Sequence, residues 1–300
     1  MGDVRTDYTY LDWTSVQNRT TGVVRGIRYG YVSGGLDLPD LYYSFDHAGN
    51  VTEEREWNAD GSSSLREKYT YDGKNQLVRH DSRTQGSSFV YTYDRAGNIL
   101  SVKRYAYTTG DPGSVLETRS YTYNAGTWND RLTSYNGHSV TSDSIGNMTS
   151  YLGNTYTWNG RELAKIQGNG NTFTYAYNAE GLRTKKTVNG TATEYFLNGS
   201  QILAEKTGDT VTWFFYDSFG TRIGMVYGSN IYYYLYNLQG DVIALVRAST
   251  GKIAATYSYD AWGNPTVTNA AGYTVGDKNP FRYRGYYYDT ETGLYRGVLQ

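Results

Sequence analysis

Apolar and polar positions alternate along most of this chain, and the alternation is interrupted at short intervals by turn-forming residues. The recurring pattern is aromatic-x-aromatic-Asp/Asn, two or three residues, Gly or Asn, then an aliphatic residue. Clear copies are YSFDHAGNV (Tyr43–Val51), YTYDRAGNI (Tyr91–Ile99), YAYNAEGLR (Tyr175–Arg183), YLYNLQGDV (Tyr234–Val242) and YSYDAWGNP (Tyr257–Pro265). The key residue falls at Asp46, Asp72, Asp94, Asn124, Asp143, Asn159, Asn178, Asn198, Asp217, Asn237, Asp260 and Asp289. That makes twelve units, about 22 residues apart, a period that signals a repeat architecture.

Each unit predicts a β-hairpin. Two aromatics separated by one residue share a strand face, because the side-chain period is two. Asp or Asn opens the turn by bonding the backbone two residues on. Gly49, Gly97, Gly146, Gly181, Gly220, Gly240, Gly263 and Gly293, with Asn75 in one copy, supply the positive φ. Return strands such as VTEEREW, ILSVKRYAY and VIALVRAST alternate as half-buried strands do. Second turns (NADGSS, TTGDPGS, QGNGN, TVNGT, KTGDT, ASTGK) lead to the next unit. No window keeps a helical apolar stripe for three turns.

Composition follows from the pattern. The 300 residues include 34 Tyr, 35 Gly, 4 Pro and no Cys. Zero Cys excludes disulfides and thiolate metal sites. A net charge of −1 offers no basic field for nucleic acid. No apolar run reaches the length of a membrane helix, and the strands are too charged for an outer-membrane barrel. The opening MGDVRTDYTY lacks a signal peptide's basic head and apolar middle, so the reading frame is expected to start inside a larger protein. His47, His80 and His138 lie in different units at no metal-ligand spacing, and neither metal nor cofactor is expected.

The tandem Y-x-Y-D-x-x-G-N-[ILV] motif resembles the YD repeat of RHS (rearrangement hotspot) proteins, of insecticidal toxin-complex C subunits and of teneurins. The resemblance covers residues 43 onward. The stretch from Ser258 to Tyr295, SYDAWGNPTVT…NPFRYRGYYYDTETGLY, resembles the RHS repeat-associated core. It implies an all-β fold: tandem hairpins forming a curved, spiralling antiparallel sheet, part of a hollow shell. It also implies three segments: 1–42, an N-terminal β segment of diverged repeats; 43–257, the repeat array; and 258–300, a truncated core-like segment. The implied function is the shell of a bacterial polymorphic toxin or wall-associated surface protein, enclosing and presenting a C-terminal effector. The implied partners are the rest of the shell and that effector. The implied place is secreted or cell-surface.

In relatives the core often frees the effector by aspartyl autoproteolysis. Here the first Asp segment is present, with Asp289, Gly293 and Leu294, but the second is missing. Two carboxylates must share a proton for that mechanism, so this chain is not expected to cut itself or to be an enzyme. Asp289, Arg282 and Arg284 are therefore either the remnant of that site or, as the residues read best, a turn Asp and two arginines paired with carboxylates or stacked on Tyr. An alternative function is a surface module holding glycans on exposed Tyr rows; inward-facing rows would favour the shell. About 24 strands at about 4.8 Å make about 115 Å of sheet. Closed in a ring, that leaves a hole of about 25 Å, too small for a folded domain about 34 Å across. An incomplete, open strip is expected.

Overall fold

The structure, a computed structural model, describes residues 4–10, 23–31, 34–36, 38–58, 61–124, 126 and 128–296. Residues 1–3, most of the link between the first two strands, and the terminal GVLQ lie outside them, as do parts of the NADGSS and YTYNAGTWN turns. Antiparallel strands dominate throughout. The helix-free expectation needs one small correction: Val275–Lys278 forms a single α-helical turn and Tyr283–Gly285 a 3₁₀ turn. These four and three residues are too short to leave an apolar stripe in sequence.

Two compact units result. The first comprises residues 1–90, 104–115 and 216–297, and the second is mainly 116–215 with 91–103. Both expected boundaries, after 42 and after 257, fall inside the first unit.

In the second unit consecutive strands pair in sequence order. Asn154–Asn159 pairs Glu162–Gly168, which pairs Asn171–Tyr177, and so on to Thr210–Tyr216. Its buried face carries Ile166, Phe173, Tyr195, Ile202 and Phe214. Arg183 is buried there too, its guanidinium 5.1 Å from the Tyr175 ring and 5.3 Å from that of Tyr195. Two aromatic faces are the compensation a buried cation needs.

The first unit joins strands from distant parts of the chain. Val24–Tyr31 and Asp40–Phe45 pack on Asn230–Tyr236 and Val242–Arg247 through Ile27, Tyr29, Leu41, Tyr43, Leu235, Ile243, Ala244 and Val246. Tyrosine hydroxyls fasten this contact. Tyr29 donates to the Tyr236 carbonyl at 2.6 Å, Tyr31 donates to that of Ala248 at 2.9 Å, and the Leu238 amide donates to Tyr43 at 3.2 Å. Burial pushes the Tyr29 and Tyr43 hydroxyls well above their ordinary pKa, so both remain neutral. Within this unit, then, the early hairpins are closed onto late ones rather than left as a free strip.

The two aromatics of the repeat divide the work in many units. The first is a core residue in six of them, Tyr43, Tyr91, Tyr195, Phe214, Tyr234 and Tyr257 being buried, whereas Tyr69, Tyr121, Tyr156 and Tyr175 are half-buried and Tyr286 is exposed. The second donates a hydrogen bond to the return strand of the preceding unit. Tyr71 reaches Val51 O (3.0 Å), Tyr123 Ile99 O (3.0 Å), Tyr177 Leu163 O (3.0 Å), Tyr236 Arg222 O (2.6 Å) and Tyr259 Val242 O (2.7 Å). Trp158 makes the same bond through Nε1 to Met148 O at 2.7 Å. A hydroxyl or indole N–H makes this bond; Phe45 and Leu197, at the same position of their units, carry no such donor. Tyr236→Phe is expected to cost about 1 kcal/mol in denaturant unfolding, the net worth of one such bond.

Candidate functional site: turns, C-terminal segment and a buried charge chamber

The repeat turns are built by the key Asp together with the Asn four residues later. At Asp46, Oδ1 accepts the amides of Ala48 and Asn50, both at 2.9 Å, and Asn50 Nδ2 donates to Oδ2 at 2.9 Å. The set recurs at Asp94 with Asn98, Asp143 with Asn147 and Asp260 with Asn264. At Asn237 the two residue types are exchanged: its Nδ2 donates to Asp241 Oδ2 at 2.7 Å. Asp72, Asn178 and Asp217 keep the two amide bonds. The paired Asn amide, then the backbone amides, hold the Asp46 and Asp94 carboxyls below the usual carboxylate range. The repeat pattern does not mark this Asn as a turn residue, so its bond to Asp was not legible in sequence. Asp143, whose flanking aromatics have decayed, keeps the full turn.

Glycine meets the φ requirement at Gly49, Gly97, Gly146, Gly181, Gly220, Gly240 and Gly263, with Asn75 standing in at φ 60°. Asn159 and Asn198 differ from the expected turn openers. Each is the last residue of its strand, paired with Glu162 and Gln201 across a two-residue turn. No five-residue loop remains there for an Asx bond to close. Asn124 opens a longer loop, its amide bonded to Arg131 O at 2.9 Å.

The C-terminal segment docks on the first unit. Asn279 is fully buried: Oδ1 accepts from Tyr234 Oη (2.8 Å) and the Phe281 amide (3.1 Å), and Nδ2 donates to Phe281 O (2.6 Å) and Tyr257 Oη (3.2 Å). Arg282 Nε donates to Asn279 O at 3.2 Å and its guanidinium lies 4.6 Å from the Tyr288 ring. Arg284 has φ 49°; its amide donates to Asp241 Oδ1 at 2.8 Å and its guanidinium lies 5.4 Å from the Tyr283 ring. Asp289 is buried at the end of Tyr287–Asp289, and its carbonyl accepts the Gly293 amide at 2.8 Å across the turn, where Gly293 has φ 71°. Both arginines thus stack on tyrosines.

Gly263 is the tightest joint between repeat and C-terminal segment. Its φ is +89°, and a Cβ there would meet Tyr283 Cδ1 at 2.6 Å. Gly263→Ala is expected to cost about 2 kcal/mol, from strain and displaced Tyr283 together, read as a lower midpoint in chemical unfolding.

Beside this segment the first unit forms a half-open pocket of about 300 Å³ whose lining includes Glu54, Arg66, Glu67, His80, Asp241, Asp260 and Arg284. Glu54 and Glu67 are directly opposed on Val51–Trp57 and Ser63–Tyr71, and both are buried. Like charges so placed repel. Arg66 bridges Glu54 (2.8 Å) and Glu56 (2.7 Å). Glu67 accepts from Thr84 Oγ1 and pairs with His80 Nε2 at 2.8 Å. His80 is stacked on Tyr69, with ring centroids 4.6 Å apart. Burial pushes the Glu54 carboxyl up to about 7 against the opposing pull of Arg66, with Glu67, Asp241 and Glu56 adding to the rise. Burial also raises Asp241, against the donors Asn237 and Arg284.

None of these carboxylates was singled out in the sequence, although a signal was there. The eighth residue after the key Asp/Asn is buried in Val102, Met225 and Leu245, and the same position holds Glu54 and His80. Charge at an inward apolar position marks the chamber. Among the described residues no three His, Asp or Glu side chains converge to hold a metal, and no helix is long and apolar enough to cross a membrane.

Known proteins match this arrangement. Residues 20–297 match the family model of the teneurin YD-shell. The chain is 38% identical over 234 residues to the tRNA nuclease WapA of Bacillus subtilis (strain 168), covering 75% of this chain and 9% of that protein. The tRNA3(Ser)-specific nuclease WapA of Bacillus spizizenii matches to the same extent. Among solved structures, the TcdB2-TccC3-Cdc42 crystal structure superposes with a TM-score of 0.72 at 21% identity, over 98% of this chain and 16% of the other. A Photorhabdus luminescens Tc holotoxin pore superposes at 0.69 and 20%, with the same coverage. These likenesses are to the shell-type fold, and the chain spans a small fraction of each relative. Fold and repeat motif agree with the matched family: the chain belongs to the teneurin YD-shell family.

Proposed function

We propose that this chain is a structural segment of a bacterial toxin's YD-repeat shell and that it helps to enclose and present an effector carried elsewhere in the intact protein. In this reading the chain itself turns over no substrate; the nuclease activity in the WapA names belongs to other regions of those proteins. Residues 258–300 act as the associated-core segment, with Asp289 as a turn residue and Arg282 and Arg284 as stacking anchors. The protein is secreted or displayed at the bacterial surface.

The observation that carries the reading is the direction of the tyrosines. Tyr29, Tyr43, Tyr234 and Tyr257 face the core, whereas the exposed aromatics are mostly Trp57, Trp128, Trp213, Trp262, Phe196 and Phe219, joined by Tyr8, Tyr10 and Tyr286. Rows of inward Tyr suit a wall, not a glycan platform. The test is protease protection in the intact protein. A cleavage site placed just before the effector should be cut slowly in the native protein and at least tenfold faster when Ile27→Asp opens the first unit. Equal rates would overturn the reading.

A further inference from the structure

Five Asn–Gly pairs occur in the chain, beginning at Asn136, Asn159, Asn169, Asn189 and Asn198, and all five stand at exposed hairpin turns. Asn is a thermolabile residue. With Gly after it, no Cβ keeps the next backbone nitrogen from the side-chain carbonyl carbon. The turns divide the five into two kinds.

In the first kind the Asn is itself a central turn residue. Asn136, Asn169 and Asn189 have φ of 50°, 50° and 49°, and the Gly after each is also positive, at 77°, 78° and 90°. Two successive positive φ values make a type I′ turn. These side chains are also tied down. Asn136 Oδ1 accepts the Ser120 amide at 2.9 Å, and Asn169 Nδ2 donates to Leu152 O at 2.9 Å. Asn189 Oδ1 accepts the Thr172 amide at 2.8 Å, and its Nδ2 donates to Asn171 Oδ1 at 2.8 Å. None of the three carboxamides can turn onto its Gly nitrogen without breaking such a bond.

In the second kind the Asn precedes the turn. Asn159 and Asn198 end the strands Asn154–Asn159 and Thr191–Asn198, and neither has a positive φ. Neither side chain makes a hydrogen bond among the described residues. A Cβ on Gly160 or Gly199 would meet nothing within 4 Å, so the space a small ring needs is open. The two differ in one respect. Asn147 Nδ2 donates to Gly160 O at 2.8 Å and holds that turn from its far side; among the described residues no such bond holds Gly199.

From these two untethered carboxamides we infer that Asn198, and after it Asn159, is a site of spontaneous deamidation. The Gly199 amide nitrogen, giving its proton to hydroxide, bonds to Asn198 Cγ. The Cγ–Nδ2 bond breaks, and the nitrogen takes a proton from water and leaves as ammonia. Water then opens the five-membered imide at either carbonyl, leaving aspartate or isoaspartate; nothing is oxidised or reduced. Each event adds a negative charge at a strand end, and the isoaspartate route also lengthens the backbone by one carbon. At Asn159 the new carboxylate faces Glu162 across the ladder, where like charges repel. The inference is independent of the shell reading.

The test is peptide mass spectrometry on the whole chain held at pH 8, with isoaspartate marked by an isoaspartyl methyltransferase. Asn198 should convert about tenfold faster than Asn136, Asn169 or Asn189, the factor imposed by first breaking one or two side-chain bonds, with Asn159 in between. In concentrated urea, where no turn persists, the five rates should come together. Equal rates in the native chain would overturn the inference. So would the native order persisting in urea, because neighbouring residues rather than the turns would then set it. The comparison needs no variant, so it does not depend on a substituted chain folding.

Discussion

The first unit is expected to gain stability as pH falls from 8 toward 5, the reverse of ordinary acid destabilisation. Glu54 is the cause. Its carboxyl is raised from 4.5 to about 7, mainly by burial, so between those values the folded chain binds more protons than the unfolded one. Stability therefore decreases as pH rises through that window. The shift corresponds to about 3 kcal/mol in all, of which about 2 appears between pH 8 and pH 5.5. Asp241 acts in the same direction. The groups facing Glu54 are Arg66 and Glu67 on the neighbouring strand, Glu56 on its own, and Asp241 from the late hairpins. The turn carboxylates Asp46 and Asp94 are lowered, so their contribution is lost only below about 3.8, outside this window. Urea unfolding of the wild type and of Glu54→Gln at both pH values decides the matter. The variant should lose most of the gain; a wild type whose midpoint drops on acidification to pH 5.5 would refute the assignment.

Much of this unit was legible because local rules were enough. Tyr43, Asp46 and Gly49 read directly as strand, turn opener and positive-φ residue, and the structure puts them so. Asn159 and Asn198 misread because a two-residue turn and a five-residue Asx turn share their opening letters; loop length decides, and weak copies blur it. What no local rule exposes is closure. Periodicity tells which face of a strand is apolar, not which distant strand covers it. Ile27 and Leu235 each signal a buried face, but their meeting depends on the cumulative geometry of the hairpins between them. The chamber is a consequence of the same closure: Glu54 and Asp241 share a pocket only because early and late hairpins pack together.

Closure also separates this unit from a linear repeat array. In such an array each repeat touches only its neighbours, and a core mutation is felt locally. Here Ile27, 1% exposed, packs in one cluster with Leu235, Ala244 and Val246, and the Tyr29 and Tyr31 hydroxyls bond residues 207 and 217 positions away. Ile27→Ala removes a buried aliphatic side chain and should cost about 2–5 kcal/mol. The diagnostic result is where that cost appears. Amide hydrogen exchange should accelerate not only in Val24–Tyr31 but also in Val242–Arg247, because the late strand loses the surface that covers it. Protection of Val242–Arg247 unchanged in Ile27→Ala would mean that the late hairpins stand without the early ones. Faster exchange at both sites makes closure, rather than repeat stacking alone, the source of this unit's stability.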